Sequence, residues 1–191
     1  MKSKSSTIRF LYAASDTSAD ALYLSGVFVP DPFLAIITHK KSYAVVSQLE
    51  YSRIAKQSKF DEVMLLETIR KKAAENLRIS VSKVGAGELM VYFAQRFVAK
   101  KIEVPSDFPA VYYAILFEAG YCIRIVEGAF FPKRLKKTDT EACMIMQGNV
   151  ASAAGIRAAE GVLRAATIDG DRIIYEGDAL TSERLRSIVD Q

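Results

Sequence analysis

Lys133-Arg134-Leu135-Lys136-Lys137-Thr138-Asp139-Thr140-Glu141, with the Ala/Gly-rich run that follows it to Ala166, is the stretch that divides this chain. Thr138 and Glu141, three residues apart, form a capping box. The threonine hydroxyl accepts the amide of the third helical residue, and the glutamate reaches back to the amide of the cap, so a helix is predicted to start here. Everything before this point reads as one α/β unit. Everything after it reads as the opening of a second, truncated one.

On a 3.6-residue period, residues 141–166 put Met144, Ile145, Gly148, Ala151, Ser152, Gly155, Ala158, Ala159 and Val162 on one face. Arg157, Glu160 and Arg164 fall on the opposite face, with Glu160 and Arg164 in the favourable i,i+4 order. Gly148 and Gly155 each cost roughly 1 kcal/mol relative to alanine in a helix interior. A face this small admits close approach by another element, which offsets that cost. The expectation is that the chain associates with itself through this Gly/Ala face.

Working outward, the chain has 191 residues, a formal net charge of +4, half its residues hydrophobic and a quarter charged. That suits one core, or one domain and part of another. Basic residues are scattered except for Lys133, Arg134, Lys136 and Lys137, so no nucleic-acid partner is expected. No apolar run is long enough to span a membrane, and Met1–Ser6 precedes no signal-peptide core. A cytoplasmic location follows as the expectation. Cys122 and Cys143 lack CxxC spacing and read as buried thiols.

Upstream of the junction, strand-like runs alternate with helical ones. Strands are predicted at Ile8–Ala14, Phe33–Thr38, Ser42–Ser47, Glu62–Leu66, Ile79–Val84, Ile102–Val104 and Tyr121–Val126. The second and third form an antiparallel hairpin around His39-Lys40-Lys41. Helices are predicted at Leu49–Ser58 with Leu49, Ile54 and Ala55 inward, at Thr68–Leu77 with Lys71, Lys72 and Glu75 outward, at Glu88–Lys100, and at Phe108–Ala119, closed by Gly120. The two prolines of Val29-Pro30-Asp31-Pro32 keep that segment irregular. The sum is a mixed sheet of about six strands flanked by helices. Beyond the junction, Thr167–Asp171 and Glu176–Asp178 read as turns around a short apolar Ile173–Tyr175, and Thr181-Ser182-Glu183 caps a last helix.

The residues carry little chemistry. His39, the sole histidine, sits between lysines with no partner in view, which leaves Ser-His-Asp and Cys-His devices without a base and excludes multi-histidine metal sites. Gly85-Ala86-Gly87 precedes a helix as a phosphate loop would, but Met90 stands where a dinucleotide fingerprint has its third glycine. Asp169, Asp171, Glu176 and Asp178 lack the spacing of a calcium loop. Tyr112, Tyr113 and Phe117 recur at helical spacing and read as core. No catalytic, cofactor-binding or metal-ligating residue is assigned.

Three segments nevertheless carry a family likeness. Arg134-Leu135-Lys136-Lys137-Thr138-Asp139-Thr140-Glu141 resembles the Arg-x-Lys-Ser/Thr-x-x-Glu signature joining the two domains of Xaa-Pro aminopeptidases, prolidases and creatinases, with Lys136 or Lys137 as the matching lysine. Asp20-Ala21-Leu22-Tyr23-Leu24-Ser25-Gly26 resembles the Asn-x-x-Tyr-Leu-Thr-Gly segment of their N-terminal domain, and Leu180–Arg186 is similar to an early helix of their "pita-bread" catalytic domain. The resemblance implies a creatinase/prolidase N-terminal-like domain over residues 7–131, then a junction and the truncated start of a catalytic domain over 132–191.

It also implies a parent enzyme that hydrolyses the bond before proline with two divalent ions, Mn²⁺, Co²⁺ or Zn²⁺, which lower the pKa of a bridging water. In the family two Asp, one His and two Glu hold those ions in the C-terminal half, and none matches a position here. The implied partners are the chain's own catalytic domain, a second subunit in a homodimer, and a proline-containing peptide. The loop Phe28-Val29-Pro30-Asp31 is the candidate for shaping substrate access. Two alternatives stand beside this. One is a stand-alone α/β interaction or small-ligand-binding module with its last helices as an oligomerisation arm; the other is a creatinase-like homologue that is not a peptidase.

Overall fold

The computed structural model describes residues 7–190; Met1–Ser6 and Gln191 lie outside the described residues. The chain divides into two compact units, Met1–Leu135 and Lys136–Gln191.

Among its described residues the first unit holds six strands: β1 Thr7–Ala13, β2 Phe33–Ile37, β3 Ser42–Val46, β4 Glu62–Leu65, β5 Lys101–Pro105 and β6 Cys122–Val126. Between them lie α1 Ala19–Ser25, α2 Gln48–Gln57, α3 Leu66–Leu77, α4 Ala86–Arg96 and α5 Ala110–Glu118. The sheet order is β4-β3-β2-β1-β5-β6. β2 runs antiparallel to both β1 and β3, while β3/β4, β1/β5 and β5/β6 are parallel. The sheet is therefore mixed, as the hairpin and the alternating helices predict.

Side-chain alternation along β1 explains why both faces are covered. Ile8 and Phe10 turn to one face and meet Leu34, Ile36 and Val45 beneath α3, α4 and α5, where Ile69, Ala73, Leu89, Phe93 and Leu116 close the layer. Leu11 turns to the other face and meets Phe33, Ala35, Ala44 and Val46 beneath α1 and α2, with Ala21, Ile54 and Phe130. Strand β2 is buried almost throughout, as a strand covered on both sides should be. Each large side chain so buried contributes on the order of 1.5–3 kcal/mol.

Local signals set the ends of the elements. The Ser18 hydroxyl accepts the Ala21 amide at 3.2 Å and starts α1; Gly26, with φ of 69°, ends it. A Cβ at Gly26 would meet only the flexible Lys59 side chain, so it is the positive φ that favours glycine at this turn. Gly120, with φ of 84°, closes α5 in the same left-handed conformation.

Several expectations fail for reasons visible in the fold. Residues 79–84 form no strand: Val81–Lys83 make one turn of 3₁₀ helix, and the run links α3 to α4. Three β-branched residues give that segment strand propensity, but it pairs with no strand and serves as the link between two helices. Leu49 is 88 % exposed and Ala55 is exposed, so α2 buries Ile54 alone of the three inward candidates. The helix lies across the sheet on a narrower stripe than its apolar residues suggest. Phe117 is 64 % exposed and stacks on Tyr113 at 6.3 Å, so only Tyr112 of that trio packs against the core. Cys122 and Cys143 are both exposed. Cys122 opens β6, the outermost strand, where one flank has no neighbour among the described residues.

The second unit is α6 Asp139–Ala165, a meander of β7 Thr167–Asp169, β8 Arg172–Tyr175 and β9 Asp178–Ala179, and α7 Ser182–Val189. The predicted capping box is present: Thr138 Oγ1 accepts the Glu141 amide at 3.3 Å, and Glu141 Oε2 accepts the Thr138 amide at 2.9 Å. Thr167–Asp171 is not simply a turn. Thr167–Asp169 pairs antiparallel with β8 around Gly170-Asp171, a two-residue hairpin connection of the kind glycine favours. Along the small face of α6, Gly155 meets Val189 of α7, whose Cγ1 would lie 3.3 Å from a Cβ there, while Met144 and Ile145 remain exposed. On the other face Arg164 and Glu160 pair at 2.6 Å.

Candidate functional site

Two constructions in the first unit stand out. The first fixes the segment that leaves the sheet. Asp20, in the first turn of α1, accepts the Phe130 amide at 3.3 Å, the Phe131 amide at 3.1 Å and Arg134 Nε at 2.7 Å. Asp20 belongs to the Asp20–Gly26 motif and Arg134 to the Arg134–Glu141 motif, so the fold brings the two motifs into contact.

Arg9 closes the same joint from below. Its guanidinium lies 3.9 Å from the Phe130 ring centroid and 4.9 Å from that of Phe131, and its Nη2 donates to the Phe130 carbonyl. Arg9 Nε stands 3.5 Å from Glu103 but outside hydrogen-bond geometry. Glu103 pairs across the next strand with Arg124 at 2.6 Å. Burial pulls the Arg9 pKa below its ordinary value, while Glu103 and Asp20 oppose that pull. Nothing in the sequence marked Arg9 or Glu103. The signal was a charged residue at an otherwise apolar strand position, matched by a carboxylate in β5, and it becomes readable only once β1 and β5 are known to be neighbours.

The second construction is a crevice of about 130 Å³ where β1 and β3 end and β2 begins. Leu34, Val45 and Leu89 are buried in its wall, and Tyr12, Asp31 and Arg70 also line it. The predicted access loop forms one side. Phe28 is 58 % exposed and Val29 is buried. Ser15 ties Val29 down, its amide donating to the Val29 carbonyl at 2.8 Å, and Arg53 Nη1 donates to the Phe28 carbonyl at 2.7 Å. The loop is irregular, as its prolines require, and it is anchored at both shoulders. Tyr12 meets Tyr112 edge to face at 5.0 Å; burial raises its pKa, with Tyr112 adding to the rise and Arg70 opposing it.

The other sequence candidates resolve separately. His39 is exposed in the hairpin loop. Gly85 opens α4 with its amide donated to Glu88 Oε2 at 2.8 Å, and a Cβ on Gly87 would fall 2.5 Å from Ile115 Cδ1. This glycine pair serves helix packing, with α4 lying close against α5. Among the described residues no group of three or more His, Cys, Asp or Glu side chains is placed to hold a metal ion, so the residues present do not fit the dinuclear centre that the resemblance implies. No helix among them is long and apolar enough to cross a membrane.

No protein-family model and no curated protein matches the chain. Solved structures do. X-Pro aminopeptidase from Thermotoga maritima is similar over 96 % of this chain and 45 % of its own, with a TM-score of 0.65 and 12 % identity. Xaa-Pro dipeptidase from Bacillus anthracis is similar over 97 % and 44 %, with a TM-score of 0.60 and 14 % identity. Prolidase from Pyrococcus furiosus is similar over 81 % and 39 %, at 0.56 and 14 %. The chain spans less than half the length of each. The resemblance read from the two motifs holds at the level of the fold: this chain has the α/β fold that prolidase and Xaa-Pro aminopeptidase structures contain.

Proposed function

We propose that the first unit is the non-catalytic N-terminal domain of a prolidase or Xaa-Pro aminopeptidase-like metallopeptidase. In this reading it shapes substrate access and contributes dimer contacts, and the two metal ions and the hydrolytic site belong to a catalytic segment outside these residues. The observation that carries the reading is the Asp20–Arg134 contact at 2.7 Å, which joins the two motif segments within a fold shared with these enzymes. Three hydrogen bonds to one carboxylate fix where the chain leaves the sheet of this first unit.

The test has two arms. The chain alone, supplied with Mn²⁺, Co²⁺ or Zn²⁺ and an Xaa-Pro dipeptide, should show no turnover, and hydrolysis by it would end the proposal. Joined to a catalytic segment bearing the Asp, Asp, His, Glu, Glu ligand set, it should support cleavage before proline, and Phe28→Ala with Asp31→Ala should lower kcat/KM for short peptides. Unchanged kcat/KM would remove the loop from the account.

A further inference from the structure

The crevice at the end of β1 and β3 has a composition that a simple packing defect would not have. Its wall is apolar and contributed by both sheet and helices, through Leu34, Val45 and Leu89. Two side chains of opposite charge also line it, Arg70 from α3 and Asp31 from the proline loop. Both are exposed, and neither makes a side-chain hydrogen bond or ion pair among the described residues. Charges left in contact with water at a rim carry little desolvation cost, and each remains available to an incoming group. Glu50, the other carboxylate lining the space, is already paired with Arg53.

From this arrangement we infer that the crevice binds a small apolar α-amino acid as its zwitterion. The side chain fills the apolar wall, the carboxylate meets the Arg70 guanidinium, and the ammonium meets Asp31. Size sets the class. A space of about 130 Å³ is close to the cavity of ~150 Å³ that accommodates benzene, so a valine, proline or leucine side chain fits and a peptide does not. Charge narrows it further. The arginine fork matches a carboxylate, whereas two carboxylates lining the same space disfavour a phosphate dianion.

The inference is tested on the 191-residue chain by binding alone, so its outcome is separate from that of the peptidase assay. Calorimetric titration with L-valine, L-proline and L-leucine should give saturable binding at millimolar concentration or better. Isovalerate, which lacks the ammonium, and isobutylamine, which lacks the carboxylate, should each bind at least about tenfold more weakly than valine. Arg70→Gln and Asp31→Asn change exposed residues, and each should weaken valine by a similar factor, while Lys72→Gln on the same helix should leave it unchanged. No saturable binding of any of the three amino acids overturns the inference. So does binding that Arg70→Gln and Asp31→Asn leave intact, or binding in which isovalerate matches valine.

Discussion

The Asp20 carboxylate lies 2.7 Å from Arg134 Nε across 114 positions of sequence, and it also accepts the amides of Phe130 and Phe131. One acidic side chain at the start of a short helix therefore sets where the chain leaves the sheet. Asp20→Ala strands the Phe130 and Phe131 amides in a partly buried joint and removes one acceptor of Arg134. It should lower the stability of the first unit by about 2–3 kcal/mol, read from the midpoint of urea unfolding. Asp20→Asn keeps one acceptor oxygen and should cost less.

Residues Leu49 and Ile54 separate apolar composition from burial. Ile54 is fully buried in α2 and Leu49 is 88 % exposed. Ile54→Ala is expected to cost about 2–5 kcal/mol, and Leu49→Ala to change stability by no more than about 0.5 kcal/mol. Thermal unfolding of the two variants checks the contrast.

Contact between α4 and α5 depends on one absent methyl. A Cβ at Gly87 would lie 2.5 Å from Ile115 Cδ1 and 3.2 Å from Cγ2. Gly87→Ala should destabilise by about 1–3 kcal/mol through overpacking. Ile115→Val removes Cδ1, so the double variant Gly87→Ala/Ile115→Val should be more stable than the sum of the two single changes. A coupling of zero in that cycle would show that the helices can separate freely.

Acid should weaken the joint between the hairpin and β4. Asp61 accepts both the amide and the hydroxyl of Ser42 at 2.7 Å, and those hydrogen bonds hold its pKa below the ordinary 3.8. A depressed carboxylate contributes stability that is fully present above its unfolded value and is lost as pH falls through the folded one. Stability should therefore decline below about pH 3.8, and Asp61→Asn should flatten that part of the profile without altering the slope near neutrality. Denaturant midpoints taken across the acid range measure this.

Thiol reactivity gives a direct check on the outer strand. Cys122 and Cys143 are both exposed, so both should react with a maleimide or disulfide reagent in the native chain without denaturant. Labelling that requires unfolding would contradict the position of β6 at the sheet edge.

Elements whose periodicity is local were legible in the sequence. The hairpin, the capping box at Thr138 and Glu141, the helix closed by Gly120 and the mixed character of the sheet all follow from residues a few positions apart. What failed depended on distant neighbours. Cys122 reads as core until the sheet order places β6 outermost, and residues 79–84 read as a strand until the fold uses them as the link between α3 and α4. The two sites divide in the same way. Asp20 and Arg134 were each visible within a motif, yet their contact was not, and the crevice collects Tyr12, Asp31 and Arg70 from segments that share no local pattern.

The central position of β1 has a consequence for synthesis. Thr7, Ile8 and Arg9 pair in parallel with Lys101, Ile102 and Glu103, whereas the antiparallel partner of β1 begins at Phe33. At roughly 5–20 residues per second, the parallel partner leaves the ribosome on the order of 5–20 seconds after β1 does. Through that interval the nascent chain holds β1 to β4, with the edge of β1 that β5 will take still unpaired. It is in this window that the chain presents an unpaired strand edge, where wrong pairing competes with folding.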